Sequence, residues 1–271
     1  MPKQRKRRVI GHPGTPPSAI AAPHDVWSAA FTGHGKTGAG HYCSPRTITD
    51  GDRRVLLNCQ ALSSTRVAEA RPVFMRVVKE FGLPWRIRTD TGVPCATHPL
   101  ARLSQLSAWW VRLGLLPECI APGNPQQNGR HERRQRTLNA DTTRPPGANL
   151  RAQQQQFHHC HEACNQARPQ EALDMGTPAA CYEPSPRAMP NQLPPLESPD
   201  RFEVRSVSAN GGSRWNHQWV NVSTTCVGAY VGLEAIDDGV WHVTFGPLTL
   251  GRRHERHLRI EDAFGRRTRR R

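Results

Sequence analysis

Acidic residues are scarce in this chain: 22 Asp and Glu stand against 37 Lys and Arg in 271 residues, a formal net charge of +15 at pH 7 with His neutral. Such an excess favours a polyanionic partner through counterion release, and makes nucleic acid the default expectation. Long apolar runs are also missing. No stretch of about 18 apolar residues occurs, and basic Met1–Arg8 has no apolar segment behind it. Neither a membrane span nor a secretory signal is therefore expected, and the predicted location is the cytoplasm. Only 36% of residues are hydrophobic, enough for one moderate core and a small satellite. The eight cysteines keep no regular close spacing, which argues against a disulfide framework and for mostly reduced thiols. There is no internal repeat.

What is present divides into five segments. Residues 1–25 are a basic, proline-containing arm unable to bury a core. Residues 26–175 alternate strand and helix signals. Trp27–Phe31, Tyr42–Thr49 and Val55–Cys59 are strand-like and suggest an antiparallel meander. Apolar positions from Val67 to Phe81 recur at three- and four-residue steps, with Ser64 as the expected N-cap, Pro72 as an expected bend and Gly82 and Pro84 as the stop. Trp85–Thr89 reads as a short strand delivering Asp90, and Leu103, Leu106, Trp110 and Leu113 as a helix ending at Gly114. The Pro-, Gly- and Asn-rich stretch Ala121–Gly129 leads into a helix over His131–Asn139 that carries Glu132 in its first turn, and a further helix spans about Leu150–Gln166. Residues 176–200 form a Pro-rich linker. Residues 201–263 hold short alternating strands with turn signals at Asn210-Gly211 and Asp238-Gly239, suggesting a small β-barrel. Residues 264–271 are a second basic tail.

Asp90 at a strand end and Glu132 at a helix start are the candidate metal ligands, because paired carboxylates suit Mg²⁺ in phosphodiester displacement. By spacing alone an Asp after a strand is more often a turn or cap residue. The surrounding residues add a resemblance. Arg86-Ile87-Arg88-Thr89-Asp90-Thr91-Gly92-Val93, then Pro122-Gly123-Asn124-Pro125-Gln126-Gln127-Asn128-Gly129-Arg130-His131-Glu132-Arg133, then Arg168-Pro169-Gln170-Glu171-Ala172-Leu173, resemble the integrase-type core of bacterial insertion-sequence transposases. The likeness runs from about Gly11 to Gly265 and includes Trp215–Val222 and Leu250–Ile260.

That resemblance implies an α/β, ribonuclease-H-like mixed sheet flanked by helices, followed by a small SH3-like β-barrel. It also implies an Asp-Asp-Glu triad holding Mg²⁺ or Mn²⁺, activity in DNA transposition and integration, and a homo-oligomer on DNA comprising transposon ends and target. Asp90 and Glu132 match the second and third carboxylates. The first belongs in a Trp-x-Ala-Asp-Phe pattern, where this chain reads Trp27-Ser28-Ala29-Ala30-Phe31. A methyl group cannot bridge two ions, so the expectation is a DNA-binding protein with impaired or weak strand cleavage and transfer. The alternative is a noncatalytic DNA-binding remnant that interferes with active relatives. Rescue by Asp50 is disfavoured because a hairpin centred near Lys36 or Thr37 would place it roughly 20 Å from Ala30, and rescue by Asp25 because it would need a register shift. Thr91 and Gln170 stand where the family often has Asn and His. No helix-turn-helix is legible ahead of the core, which suggests weak sequence specificity.

Arg130, Arg133, Arg134 and Arg136 beside Glu132 are expected to contact phosphate rather than form a merely solvated face. So are Arg252 and Arg253 in the β-rich segment, alongside Arg201, Arg205, Arg214 and Arg256, with simple packing as the other reading. His158, His159, Cys160, His161 and Cys164 could suggest zinc, but core packing of Phe157 and Cys160 is favoured. Trp110 falls on an apolar stripe and is expected in the core rather than stacked on bases.

Overall fold

A computed structural model describes residues 18–31, 35–89, 103–120, 137–263, 265, 267 and 268. The first part is built on a mixed sheet of β1 (Val26–Phe31), β2 (Gly35–Lys36), β3 (Tyr42–Asp50), β4 (Leu56–Leu62), β5 (Arg86–Thr89) and β6 (Leu116–Cys119). Its strand order is β2-β3-β1-β5-β6, with β4 on the other side of β3. β1, β3 and β4 pair antiparallel, as the meander predicts, and β5 and β6 add in parallel to β1. This is the expected mixed α/β sheet flanked by helices.

One face of the sheet is covered by α1 (Val67–Phe81) and α2 (Gln105–Arg112), which bury Phe74, Val77 and Trp110 against Trp27, Ile48 and Ile87. Ser64 does not cap α1. The cap position is Arg66, and Ser63 and Ser64 instead donate through backbone and side chain to Glu69. Pro72 lies inside the continuous helix. Gly82 ends it at φ 75°, and a Cβ there would lie 2.6 Å from the carbonyl oxygen of Ser185, so the close approach requires glycine. The opposite face is covered by α3 (Leu150–Glu162), which packs Phe157 and Cys160 against Cys43, Leu56 and Cys59. The seven described cysteines form no disulfide with one another, and the sulfurs of Cys160 and Cys164 meet at 3.8 Å inside this cluster. Trp110 is a core residue, as expected, and Trp109 is buried beside it under the Arg71 guanidinium.

The Pro-rich segment is strapped to the core. Ser185 donates its N–H to Phe81 O and its hydroxyl to Leu83 O, both at 2.8 Å, and Leu83 N–H returns a 2.7 Å bond to Arg187 O. Arg187 lays its guanidinium 3.9 Å over the Trp85 ring and donates to Pro84 O and Gly114 O. Proline removes backbone donors without removing acceptors or side chains, so an extended segment can still be pinned by its Ser and Arg residues.

The C-terminal part is a five-stranded antiparallel sheet of β7 (Glu203–Ser206), β10 (Tyr230–Asp237), β11 (Val240–Phe245), β12 (Leu248–His254) and β13 (Arg259–Glu261). The hairpin of β8 (Gly212–Trp215) and β9 (Gln218–Asn221) lies beside it. Gly211 and Gly239 take positive φ at the two anticipated turns. This β-rich unit does not stand off from the core. Leu103, Ala108 and Val111, from α2 and the residue run before it, belong to the same buried cluster as Cys226, Val243 and Phe245.

Asp50 closes β3. Its carboxylate accepts N–H groups of His24, Asp52 and Arg53, each at 2.9 Å. Asp50→Ala is expected to leave these donors unsatisfied and lower stability by about 2 kcal/mol or more in urea unfolding. Burial pushes the Asp50 carboxyl up, outweighing the hydrogen bonds and the His24 charge that lower it. The folded state thus holds this proton more tightly than the unfolded chain. Its contribution is full below the ordinary carboxylate range and is lost as pH rises through the raised value, a slope that Asp50→Asn should remove.

Candidate functional site

β1 and β5 run in parallel with Ala29 opposite Thr89, so the reaction position implied by the sequence lies at their shared C-terminal edge. Ala30 follows on one strand. On the other, Asp90 is the next residue in sequence after Thr89, and it lies outside the described residues, as do Glu132, Arg130, Arg133, Arg134 and Arg136. Ala30 is buried and pairs across β3 with Thr47, whose hydroxyl donates to Ala30 O at 3.5 Å.

This register corrects the expected hairpin. The β1–β3 turn lies farther along the chain than Lys36 or Thr37, and Asp50 sits opposite Trp27, three residues from Thr47, roughly 10 Å along the strand. Distance is therefore not the main obstacle. An odd separation puts Asp50 on the opposite sheet face from Ala30, and its oxygens are already occupied by three N–H groups. The Asp25 carboxylate is likewise engaged, accepting from Ala21 and Ala22 N–H at 3.0 and 2.8 Å.

The strand register aligns Ser28, Arg88 and Glu118 on the face shared by Ala30, one pleat behind it. Arg88 donates through Nε and Nη2 to Glu118 Oε2 at 3.2 and 3.0 Å and through Nη2 to Ser18 O, and Arg86 lies 3.4 Å from Glu118 Oε1. Glu118 is thus neutralised by two guanidiniums and does not replace the missing carboxylate. Among the described residues no group of three or more His, Cys, Asp and Glu could hold a metal ion. The methyl of Ala30 does not fit the role of a bridging ligand.

Residues 137–142 are helical, and Asp141 there accepts a 2.6 Å bond from Arg168, the first residue of the third motif. This pair ties the segment following Glu132 to the end of the α3 region. Sequence reading assigned Arg168 only to a motif and did not single out Asp141, Arg88 or Glu118. Glu118 was hidden because β6 has only four residues and no alternating pattern.

In the β-rich unit Arg252 is exposed, whereas Arg253 is only 2% exposed, with its guanidinium 4.2 Å over the Trp215 ring. This corrects the expectation of a phosphate contact at Arg253. A bulge at Leu250-Gly251, against Val243 and Thr244, shifts the in–out alternation by one residue and turns Arg253 inward. Arg214 and Arg256 are exposed, while Arg201 and Arg205 are paired with Glu234 and Glu203. Arg267 of the basic tail pairs with Glu261. Among the described residues no helix is long and apolar enough to cross a membrane.

Comparisons with known proteins place this geometry. Residues 113–178, about a quarter of the chain, match the family described as an integrase core domain. The simian T-cell lymphotropic virus intasome, solved by cryoEM in complex with a PP2A regulatory subunit B56 gamma, aligns with 88% of this chain and 84% of its own at 14% identity and a TM-score of 0.50. The HTLV-2 integrase catalytic core domain in complex with magnesium, in its trimeric form, aligns over 59% of this chain and 97% of its own at 13% identity and a TM-score of 0.45. For the BIV integrase catalytic core domain the values are 59%, 93%, 14% and 0.45. At these identities the likeness is one of fold: residues 113–178 carry an integrase core match within a chain whose α/β architecture resembles that of the intasome protein.

Proposed function

We propose that this protein is a DNA-binding member of the transposase and integrase class that occupies transposon ends and target DNA as a homo-oligomer, and that Ala30 leaves it impaired in strand cleavage and transfer. The observation that carries the reading is the pairing of β1 with β5. It sets Ala30 one residue beyond the Ala29–Thr89 pair, which supports a site whose strand framework is kept and whose first carboxylate is replaced. The net charge of +15 supports a polyanionic partner, and the integrase core match over residues 113–178 supports the class. Relatives named as an intasome and as a magnesium complex suggest assembly on DNA and Mg²⁺ or Mn²⁺ as the ion of an intact site. In this reading Asp90 and Glu132 remain as its two ligands, Arg130, Arg133, Arg134, Arg136 and Arg252 face phosphate, and the β-rich unit clamps DNA. A cytoplasmic, nucleoid-associated insertion-sequence protein would fit these properties. The noncatalytic remnant that interferes with active relatives is favoured by the same Ala30.

Duplex binding measured by fluorescence anisotropy tests the first half. Affinity is expected to fall by about 10-fold or more between 50 and 200 mM salt, with a log–log slope reporting the number of phosphates contacted. Absence of binding at low salt would remove the proposal.

A further inference from the structure

The β8–β9 hairpin pairs outside the five-stranded sheet. Its register sets Ser213, Trp215 and Val220 on one face and Gly212, Arg214 and Trp219 on the other. The first face is buried and fixes the root. Trp215 is 4% exposed, meets Trp241 edge to face at 4.6 Å between ring centroids, and lies under the Arg253 guanidinium at 4.2 Å. On the other face a Cβ at Gly212 would stand 2.3 Å from the Trp219 ring, so glycine lets that ring lie across the hairpin, where its Nε1 donates to Asn221 at 3.3 Å. Both faces hold the strands in register, and the loop end is presented on a fixed frame.

That loop is Asn216 and His217, with φ of 42° and 63°. A two-residue turn of this hand favours Asn-Gly, because glycine takes positive φ without strain. Here the second position keeps an imidazole in a conformation that strains any residue with a Cβ, and strain that persists at a turn points to a use for the side chain held there. Arg214, Asn216, His217 and Gln218 are all exposed around the turn. No Asp or Glu occurs between Glu203 and Glu234, so the hairpin sets no acid of its own against these groups. The two acids that neighbour Arg253 at its root are engaged, Glu203 by Arg205 at 2.6 Å and Glu255 by Trp241 Nε1 at 2.8 Å.

We propose that this turn seats in the major groove of duplex DNA, with Arg214, Asn216, His217 and Gln218 directed at base edges and the flanking phosphates. The inference rests on the DNA-binding reading above and adds a base-contacting element to the clamp. The major groove, about 12 Å wide, admits a two-stranded ribbon, and its floor offers the donor and acceptor pairs that guanidinium and carboxamide groups match. An arginine with no carboxylate on its own hairpin adds attraction to phosphate.

The test is fluorescence anisotropy on the full chain with a mixed-sequence duplex and with the same duplex built from 7-deazapurines, which lack the major-groove N7 acceptor. The unaltered protein is expected to bind the substituted duplex about 5-fold or more weakly, a readout that needs no variant to fold. Arg214→Ala is expected to weaken binding to the ordinary duplex about 10-fold and to narrow the difference between the two duplexes. The double variant Asn216→Gly with His217→Gly, which suits the turn while removing both side chains, should do the same. Hairpin variants that bind the ordinary duplex within twofold of the unaltered protein, or equal affinity of that protein for both duplexes, overturn this inference and leave the DNA-binding reading standing. Unaltered protein that binds neither duplex at low salt overturns both.

Discussion

On the proposed reading, Ala30→Asp is expected to bring Mg²⁺- or Mn²⁺-dependent cleavage and transfer of DNA carrying the element's ends well above the level of the unaltered protein. Ala30 shares a sheet edge with the strand that leads into Asp90, so a carboxylate there extends from the position where the pattern calls for one. Removing even an outer-shell partner of a metal ligand costs about 10–100-fold, so restoring a direct ligand should raise activity by about 100-fold or more. A second readout is independent of turnover. The new carboxylate is buried beside Thr47 and costs stability until an ion neutralises it, so the melting temperature of the variant should rise on adding Mg²⁺ while that of the wild type does not. Activity in the unaltered protein would mean that another group supplies the third ligand. Silence in both proteins would favour the noncatalytic remnant.

Val111→Asp is expected to have the largest effect on architecture. Val111 is 1% exposed and lies where α2 meets the β-rich unit, within the cluster that holds Phe245 and Leu250. Its Cγ1 lies 3.4 Å from where a Cβ on Gly246 would stand, beside Leu196 of the strap. An ionised carboxylate there loses the apolar burial of valine and gains an unpaired charge, together about 3 kcal/mol or more. Calorimetry should show a lower first transition and separation of the β-rich unit from the core, whereas the wild type is expected to unfold in a single transition because the two parts share a buried cluster. A single transition at the wild-type temperature would mean that this contact does not hold the two parts together.

The same helix shows how far sequence reading reaches. Leu103, Leu106, Trp110 and Leu113 announce one apolar stripe, of which Leu106, Trp110 and Leu113 pack on the sheet while Leu103 packs with the β-rich unit. The run Leu106–Val111 is buried throughout, however, because a second layer covers the other side. Periodicity identifies the face toward the first core and is silent about a partner more than 100 residues away in the chain. The prolines of residues 176–200 likewise announce an extended segment but not its anchoring, which depends on carbonyls at Phe81, Leu83 and Gly114 that no local pattern marks. Arg253 is turned inward because one extra residue in β12 shifts the in–out alternation, a bulge that no local pattern marks.

The sequence by itself determined the charge, which sets the expectation of a polyanionic partner, the strands and helices with strong periodicity, and the motif order that nominates Asp90, Glu132 and Ala30 as the candidate site. These are local or compositional properties, set by which residues follow one another. Tertiary structure alone decided the β1–β3 register that puts Asp50 on the wrong face, the Arg88–Glu118 and Arg168–Asp141 pairs, and the docking of the β-rich unit on α2. Each joins residues separated by tens of positions. Such pairings are selected by how whole layers pack and by which polar groups must find partners once water is excluded, terms absent from any short window of the chain.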